Sequence, residues 1–541
     1  MVLVLVLAVV VSALLSRILP LAIPRPLVQI ALGALIGLVA HLRVELDPEI
    51  FFLLFLPPLL FLDGWRIPKE ELYKDRTTIF GLALGLVVFT VLGAGLLIHR
   101  MIPLMPLAVA FALAAVVSPT DPIAVSAIGA RVPIPKRMMH ILEGESLLND
   151  ASGLVCLRFA IAAALTGTFS LMDAGLNFLW LALGGFAVGV SVTWAAMRAQ
   201  DWTSERFGAE SGSQILTSLL IPFAAYMAAE SIHCSGILAA VAAGMTMTFT
   251  EASGRTPAAT RVRRSTVWDV VQFVANGIIF VLLGEQLPAI LSNSIDTVRT
   301  TGHGNPWWLA VYVLAVTLGL ALLRVAWVWL SLRFTLLRAH RRGAAAAAPP
   351  GGRLIAAMSL AGVRGAVTLA GVLTLPLAMT DGSPFPARDL AIFLAAGVII
   401  LSLVAASIGL PLLLAGLEML PEPRSEAEED HARLAAAEAA ITAMQRALHD
   451  LAPGRKDADV YVAVASHIMD RYRAYIARQS RGGAHGGVAR QRLKIERDLT
   501  IDALSAERDE IFRLMRAGEL GSETGRKLVR DLDLLEARCH A

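Results

Sequence analysis

Residues 107–128 read LAVAFALAAVVSPTDPIAVSAI. Eleven apolar residues run into Ser118-Pro119-Thr120-Asp121-Pro122, and apolar residues resume at Ile123. The stretch has the length of a membrane span, which needs about 20 apolar residues, yet two prolines and an acid stand in its middle. Pro119 and Pro122 lack an N–H and clash with the preceding turn, so the helix is predicted to open there and leave carbonyls without helical partners. Open backbone at membrane depth is tolerated where protein buries it or where it lines a wet cavity. With Asp121 at the opening, a cavity facing a cation is the economical reading. A plain kink with Asp121 capping the second half-helix is the alternative, and the two are compatible.

The rest of the chain has the same character. Of 541 residues 56% are apolar and 17% charged, and mean hydropathy is +0.65, which excludes an ordinary soluble domain. Residues 421–541 hold 20 Lys/Arg and 21 Asp/Glu, and only about 12% of residues 1–420 are charged. The reading is an all-α membrane domain over 1–420 and a charged, helical cytoplasmic tail over 421–541. A net charge of +3 without a basic patch gives no case for nucleic acid. Cys156, Cys234 and Cys539 have neither paired nor metal-ligand spacing.

Thirteen spans are expected, at 1–19, 25–41, 46–63, 78–98, 106–128, 137–166, 175–197, 213–232, 235–250, 266–290, 307–336, 354–380 and 388–417. The apolar run at Met1–Leu15 has no basic residue before it and Arg17 and Arg25 after it, so it reads as a first membrane helix with its N-terminus outside. On that placement cytoplasmic loops hold 19 Lys and Arg, and outer loops hold four, Arg43, Arg100, Arg299 and Arg388. The alternation obeys the positive-inside rule and puts the tail in the cytoplasm. GAAAAAPPGG at 343–352 reads as a flexible link, and RGGAHGG at 481–487 divides the tail into two helical parts.

An ionisable group inside a span is costly unless paired or hydrated, and so marks a functional path. Span six carries Glu143-Gly144-Glu145-Ser146-Leu147-Leu148-Asn149-Asp150. Ser146 and Asp150 are four apart and share a helix face, beside a stripe of Glu145 and Asn149. Three acids and an amide cannot all face hydrocarbon, so Asp150 is expected to look inward toward span five. Desolvation disfavours the charged form of a carboxylate, which lets such a group trade a proton for a cation near neutral pH. For Asn149, helix–helix hydrogen bonding and direct ion contact weigh equally.

Glu145 needs a partner, and Arg364 in span twelve, flanked by Gly362 and Gly365, is the candidate. If spans one to six and eight to thirteen are inverted repeats around span seven, span five corresponds to span twelve, and both are interrupted. Asp63 is either an interfacial acid or an ion ligand. Arg158 and Arg324 are read as snorkelling or structurally paired, and Glu230 and Glu285 as interfacial.

SPTDP at 118–122, EGESLLND at 143–150 and GVRGAVTLA at 362–370 together resemble the monovalent cation/proton antiporter family, which includes bacterial and animal sodium/proton exchangers. The resemblance covers roughly residues 1–420. It implies a thirteen-helix fold with two interrupted helices, a dimerisation domain, a core domain that moves like an elevator, and a homodimer in the cell inner membrane. It also implies that Asp150 binds Na⁺ and H⁺ alternately, with Ser146, Asp121 and the Thr120 backbone as further cation ligands and Asp63 as the acid of the third span. Glu145 and Arg364 are implied as the structural ion pair. The Asn149-Asp150 pair resembles the electroneutral branch, and the tail resembles those of long bacterial members.

The function expected is therefore electroneutral exchange of Na⁺, with Li⁺ or K⁺ as alternatives, for H⁺ by competition at Asp150, in the service of pH homeostasis. Hard cations want oxygen ligands, which these residues supply. No ATP-binding loop is evident and no cofactor is expected beyond the transported ions; the partners are monovalent cations, the lipid bilayer and a second copy of the chain. A gated cation channel or ion-sensing membrane protein is the alternative. A membrane hydrolase using Asp121 and Asp150 is a weaker rival, since the spans hold no nucleophile beside a base and no HExxH.

Overall fold

The computed structural model describes residues 2–18, 23–40, 48–66, 76–103, 105–122, 125–126, 134–166, 171–208, 210–251, 258–300, 305, 307–341, 352–379, 381–415, 423–451, 458–480, 486–517 and 519–540. It divides into two compact units, Met1–Leu417 and Glu418–Ala541.

Among the described residues the regular elements of the first unit are helices. Its elements are α1 (Val2–Ile18), α2 (Arg25–Ala40), α3 (Pro48–Arg66), α4 (Arg76–Phe80) continued by a π-helical turn (Gly81–Leu86) into α5 (Val87–Met101), α6 (Leu107–Val117), α7 (Lys136–Thr166), α8 (Leu171–Phe207), α9 (Ser211–Ser231), α10 (Gly236–Glu251), α11 (Ala258–Thr300), α12 (Trp307–Arg341), α13 (Gly352–Leu360), α14 (Ala366–Leu373) and α15 (Arg388–Leu414). Among the described residues each of the thirteen expected stretches contains helix, with non-helical residues at 118–122 and 361–365 in the fifth and twelfth. Among the described residues seven helices are long and apolar enough to cross a membrane, and α1, α2, α6 and α10 are shorter apolar helices.

Local signals explain several boundaries. Pro106 precedes the first turn of α6, where a missing N–H costs nothing. Gly208, in the left-handed region at φ 92°, ends α8 and returns its N–H to the Ser204 carbonyl. The expected link at 343–352 and the divider at 481–487 lie outside the described residues, apart from Gly352, which opens α13, and Gly486 and Gly487, which open α18.

The helices pack chiefly as two bundles. One holds α1, α2, α3, α8, α9, α10 and α11; the other holds α4 to α7 and α12 to α15. In the first bundle α2 crosses α11 and α3 crosses α10 backbone on backbone, each with a glycine on both helices. A methyl at Gly33 would overlap the Val281 carbonyl and crowd the Glu285 N–H, and one at Gly284 would overlap the Ile30 carbonyl and crowd the Ala34 N–H. A methyl at Gly244 would meet Phe61 and Trp65 in the same way, and one at Gly64 would meet Val241 and Met245. The two crossings share one register: each glycine faces the carbonyl three residues before the other glycine and the N–H one residue after it. Small residues that let helix backbones touch are the usual means of packing in lipid. Glu285, read from sequence as interfacial, is instead 6% exposed within the α2–α11 crossing, because α2 approaches closely at Gly33 and Gly37.

At one end of this bundle Phe61 stacks on Trp268 with centroids 5.1 Å apart, and Trp65 donates to Glu251 at 2.8 Å while Arg264 bonds the other oxygen of that acid.

The second unit holds α16 (Pro423–Leu451), α17 (Ala458–Ser480), α18 (Gly486–Arg516) and α19 (Ser522–His540). α16 packs on α17 and α18 on α19. Arg508 of α18 ties the second pair together through Asp533, at 3.0 Å, and Glu536.

Candidate functional site

The two interruptions meet. α6 stops at Val117 and residues 118–122 are not helical; α13 stops at Leu360 and residues 361–365 are extended or turned before α14 begins. The Asp121 N–H donates to the Val363 carbonyl at 2.7 Å, which crosses one break over the other. A Cβ at Gly365 would run into the Asp121 carboxylate, so that acid lies against the residue preceding the first turn of α14. A helix N-terminus carries partial positive charge and suits a carboxylate there.

Arg364 sits between the two ends. Its Nε donates to the Val117 carbonyl at 2.9 Å, its Nη1 donates to the Gly362 carbonyl, and its backbone N–H donates to Ser402 Oγ at 3.2 Å. The guanidinium thus satisfies carbonyls that two ended helices would leave without partners. That changes the expected ion pair. Glu145, 1% exposed, is held by Arg324, which donates from Nη1 to Oε1 at 2.5 Å and from Nη2 to Oε2 at 2.8 Å. The expectation of a Glu145–Arg364 pair is corrected for a geometric reason: the guanidinium of Arg364 is taken up by backbone at the break, and Arg324 presents a planar fork that matches the carboxylate. Arg324 and Arg158, left unassigned by the sequence, therefore have partners. Arg158 bonds Glu230 at 2.9 Å, so Glu230 is half-exposed as expected but is paired.

A relay runs on from Glu145. Thr120 Oγ1 donates to Glu145 Oε1 at 3.0 Å, and Asn149 Nδ2 donates to Thr120 Oγ1 at 3.0 Å. The order is forced. A carboxylate has no hydrogen to give, so the threonine hydroxyl gives its own and accepts from the amide. Asn149 Oδ1 then points elsewhere, buried and without a hydrogen-bond partner. A buried acceptor left open is costly unless something occupies it.

Asp150 and Ser146, both 5% exposed, lie on α7 one turn apart, with Asn149 at 1% and Thr120 at 5% beside them. Asp63 of α3 and Asp121 are half-buried. Asp63, Asp121 and Asp150 lie near enough to feel one another's charge, so the structure brings the third-span acid to the other two. Glu143, which the sequence reading gave no role, is also felt by Asp63. Arg324 is neutralised by Glu145, and the guanidinium bonds of Arg364 to Val117 and Gly362 go to neutral carbonyls and not to Asp63, Asp121 or Asp150. Among the described residues no three His, Cys, Asp or Glu side chains converge as a metal-chelating cluster.

The sequence reading missed the Arg324 partnership and the Thr120 relay. An arginine deep in the apolar run of α12 was the available signal, because it requires a counter-charge from another helix.

Comparison with known proteins agrees with this geometry. The family described as "Sodium/hydrogen exchanger, transmembrane" matches residues 4–416. An Escherichia coli K12 protein described as an uncharacterized Na⁺/H⁺ exchanger, YjcE, is 43% identical over 542 residues, covering 99% of this chain and 98% of that one. A Bacillus subtilis protein described as a sodium, potassium, lithium and rubidium/H⁺ antiporter is 38% identical over 542 residues, covering 99% and 77%. Among solved structures, the sodium proton antiporter MjNhaP1 of Methanocaldococcus jannaschii superposes with a TM-score of 0.58 at 20% identity, covering 76% of this chain and 97% of that one, which relates the folds. The chain belongs to the sodium/hydrogen exchanger family, and is a multi-pass membrane transporter that trades monovalent cations for protons.

Proposed function

We propose that the exchange is electroneutral, one Na⁺, Li⁺ or K⁺ for one H⁺, with cation and proton competing at Asp150. The observation that carries this reading is the grouping of Asp63, Asp121 and Asp150 near two crossed helix breaks, where Arg324 is paired with Glu145 and Arg364 bonds carbonyls and not the aspartates. Asn149 supports neutrality: it sets an uncharged oxygen, open and buried, beside Asp150. The ligands offered to the ion are the Asp150 and Asp121 carboxylates, the Ser146 hydroxyl and carbonyls of the break at Thr120, with Asp63 nearby. All are oxygens, as a hard monovalent cation prefers. The Bacillus subtilis relative supports a substrate range wider than Na⁺.

The thirteen helical stretches are read as thirteen crossings, with the N-terminus outside and residues 421–541 in the cytoplasm, in the cell inner membrane. The shared glycine register of the α2–α11 and α3–α10 crossings supports inverted repeats, since repeats one to six and eight to thirteen map span two onto nine and span three onto ten. The bundle locked by those glycines serves as the fixed frame and the homodimer contact, and the bundle carrying Asp150 moves. The tail, a compact unit of its own, is read as a solvated helical bundle or as a regulatory or dimerising module.

The test is exchange in proteoliposomes over a panel of alkali cations, with and without a potential clamped by valinomycin. Rates indifferent to the clamp are expected for Na⁺ and Li⁺. A rate that follows the potential overturns electroneutrality.

A further inference from the structure

Asp150, Leu154 and Arg158 follow one another at four-residue spacing on α7 and stack on one face, with Arg158 about 12 Å along the axis from Asp150. At the far end of this face Arg158 Nη2 donates to Glu230 Oε1 at 2.9 Å. The pair joins the two bundles, since α7 belongs to one and α9, which carries Glu230, to the other. Its acidic half is anchored: the same Glu230 oxygen accepts the Gly236 N–H at the start of α10, at 3.1 Å, and the Ser235 N–H donates to the Leu181 carbonyl of α8 at 3.2 Å. Behind the pair lies a cavity with room for about one water molecule, lined by Leu154, Val155, Arg158, Leu181, Ser235 and Ile237. From Asp150 toward this end the face therefore presents buried Leu154, the cavity, and the ion pair.

We propose that Arg158 and Glu230 form the latch of the outer gate: Leu154 closes the way from Asp150, and the pair holds the two bundles together over it until the bundles part. The proposal rests on the orientation and alternating access given under Proposed function. Both side chains are partly exposed, at 44% and 35%, and an exposed pair is weak. Weakness is what a latch needs if it is broken and remade in every cycle. Neutralising it shifts the closed-to-open ratio by about 1.5- to 5-fold, the range of an exposed ion pair.

The test places a single cysteine at Ile237 in the full chain, with Cys156, Cys234 and Cys539 replaced by serine, and measures its reaction with an impermeant maleimide added outside right-side-out vesicles. Arg158→Gln and Glu230→Gln are each expected to raise the labelling rate about 1.5- to 5-fold. The exchanged pair, Arg158→Glu with Glu230→Arg, is expected to return it toward the parent. Unchanged rates in both single variants, or a double variant that labels as fast as the singles, overturn the latch. Faster labelling only from the inner side overturns its outer placement. Labelling needs no transport, so the result stands apart from loss or retention of exchange in Asp150 variants.

Discussion

Arg324 grips Glu145 through two parallel hydrogen bonds, of 2.5 and 2.8 Å, with both side chains almost wholly buried where α12 meets α7. Removing one partner of such a pair strands a charge in a low-dielectric interior, at a cost of about 3–5 kcal/mol. Arg324→Ala is therefore expected to lower the thermal stability of the detergent-solubilised protein sharply. Arg364→Ala frees only carbonyls and should cost less, about 1–3 kcal/mol. The reverse order would refute the pairing.

Exchange itself depends on Asp150. Asp150→Asn keeps the volume and removes the titratable charge, so Na⁺-driven pH change in everted vesicles should fall to background. A folded variant that still exchanged would end the account of competition at this residue.

The relay through Thr120 holds Asn149 with its oxygen open. Thr120→Val breaks two hydrogen bonds and lets the amide turn. The cation KM is expected to rise about tenfold, which is ~1.4 kcal/mol, within the cost of one lost buried hydrogen bond. The maximal rate should change less. A lowered maximal rate with unchanged KM would place Thr120 outside cation binding.

If the two glycine crossings are repeats of one device, they should be equally intolerant. Gly33→Val and Gly244→Val each drive a side chain into a backbone carbonyl, and each is expected to destabilise by about 1–3 kcal/mol, the usual range for overpacking. Thermal unfolding of the two variants checks this. One variant tolerated beside one unfolded would break the equivalence.

In the tail, Arg508→Ala removes the link to Asp533 and Glu536. Limited proteolysis of the full chain should then cut faster near residues 517–521, between α18 and α19. An unchanged pattern would assign the cohesion of that hairpin to its apolar contacts alone.

Apolar run length and proline position made the helices and their interruptions legible, because lipid permits few alternatives to a helix whose backbone bonds are all internal. Side-chain partnership was not legible in the same way. Arg324 lies between Leu323 and Val325 in an apolar run, with nothing nearby in sequence to name its partner. Glu145 is 179 residues away, and α12 comes near it where both α12 and α7 pack on the π-turn. The burial of Glu285 was not legible either, because it comes from the close approach of α2 at Gly33 and Gly37. The aspartates were found because an acid amid apolar residues is conspicuous. The bond that orders Thr120 and Asn149 needed coordinates.

The doubled glycine crossing has a consequence for how such a chain can diverge. Where backbone rests on backbone there is no rotamer to readjust, so any side chain at those four α-carbons costs stability. If the two halves are the repeats proposed above, those four positions would keep them alike in distance geometry after any likeness in spelling is gone.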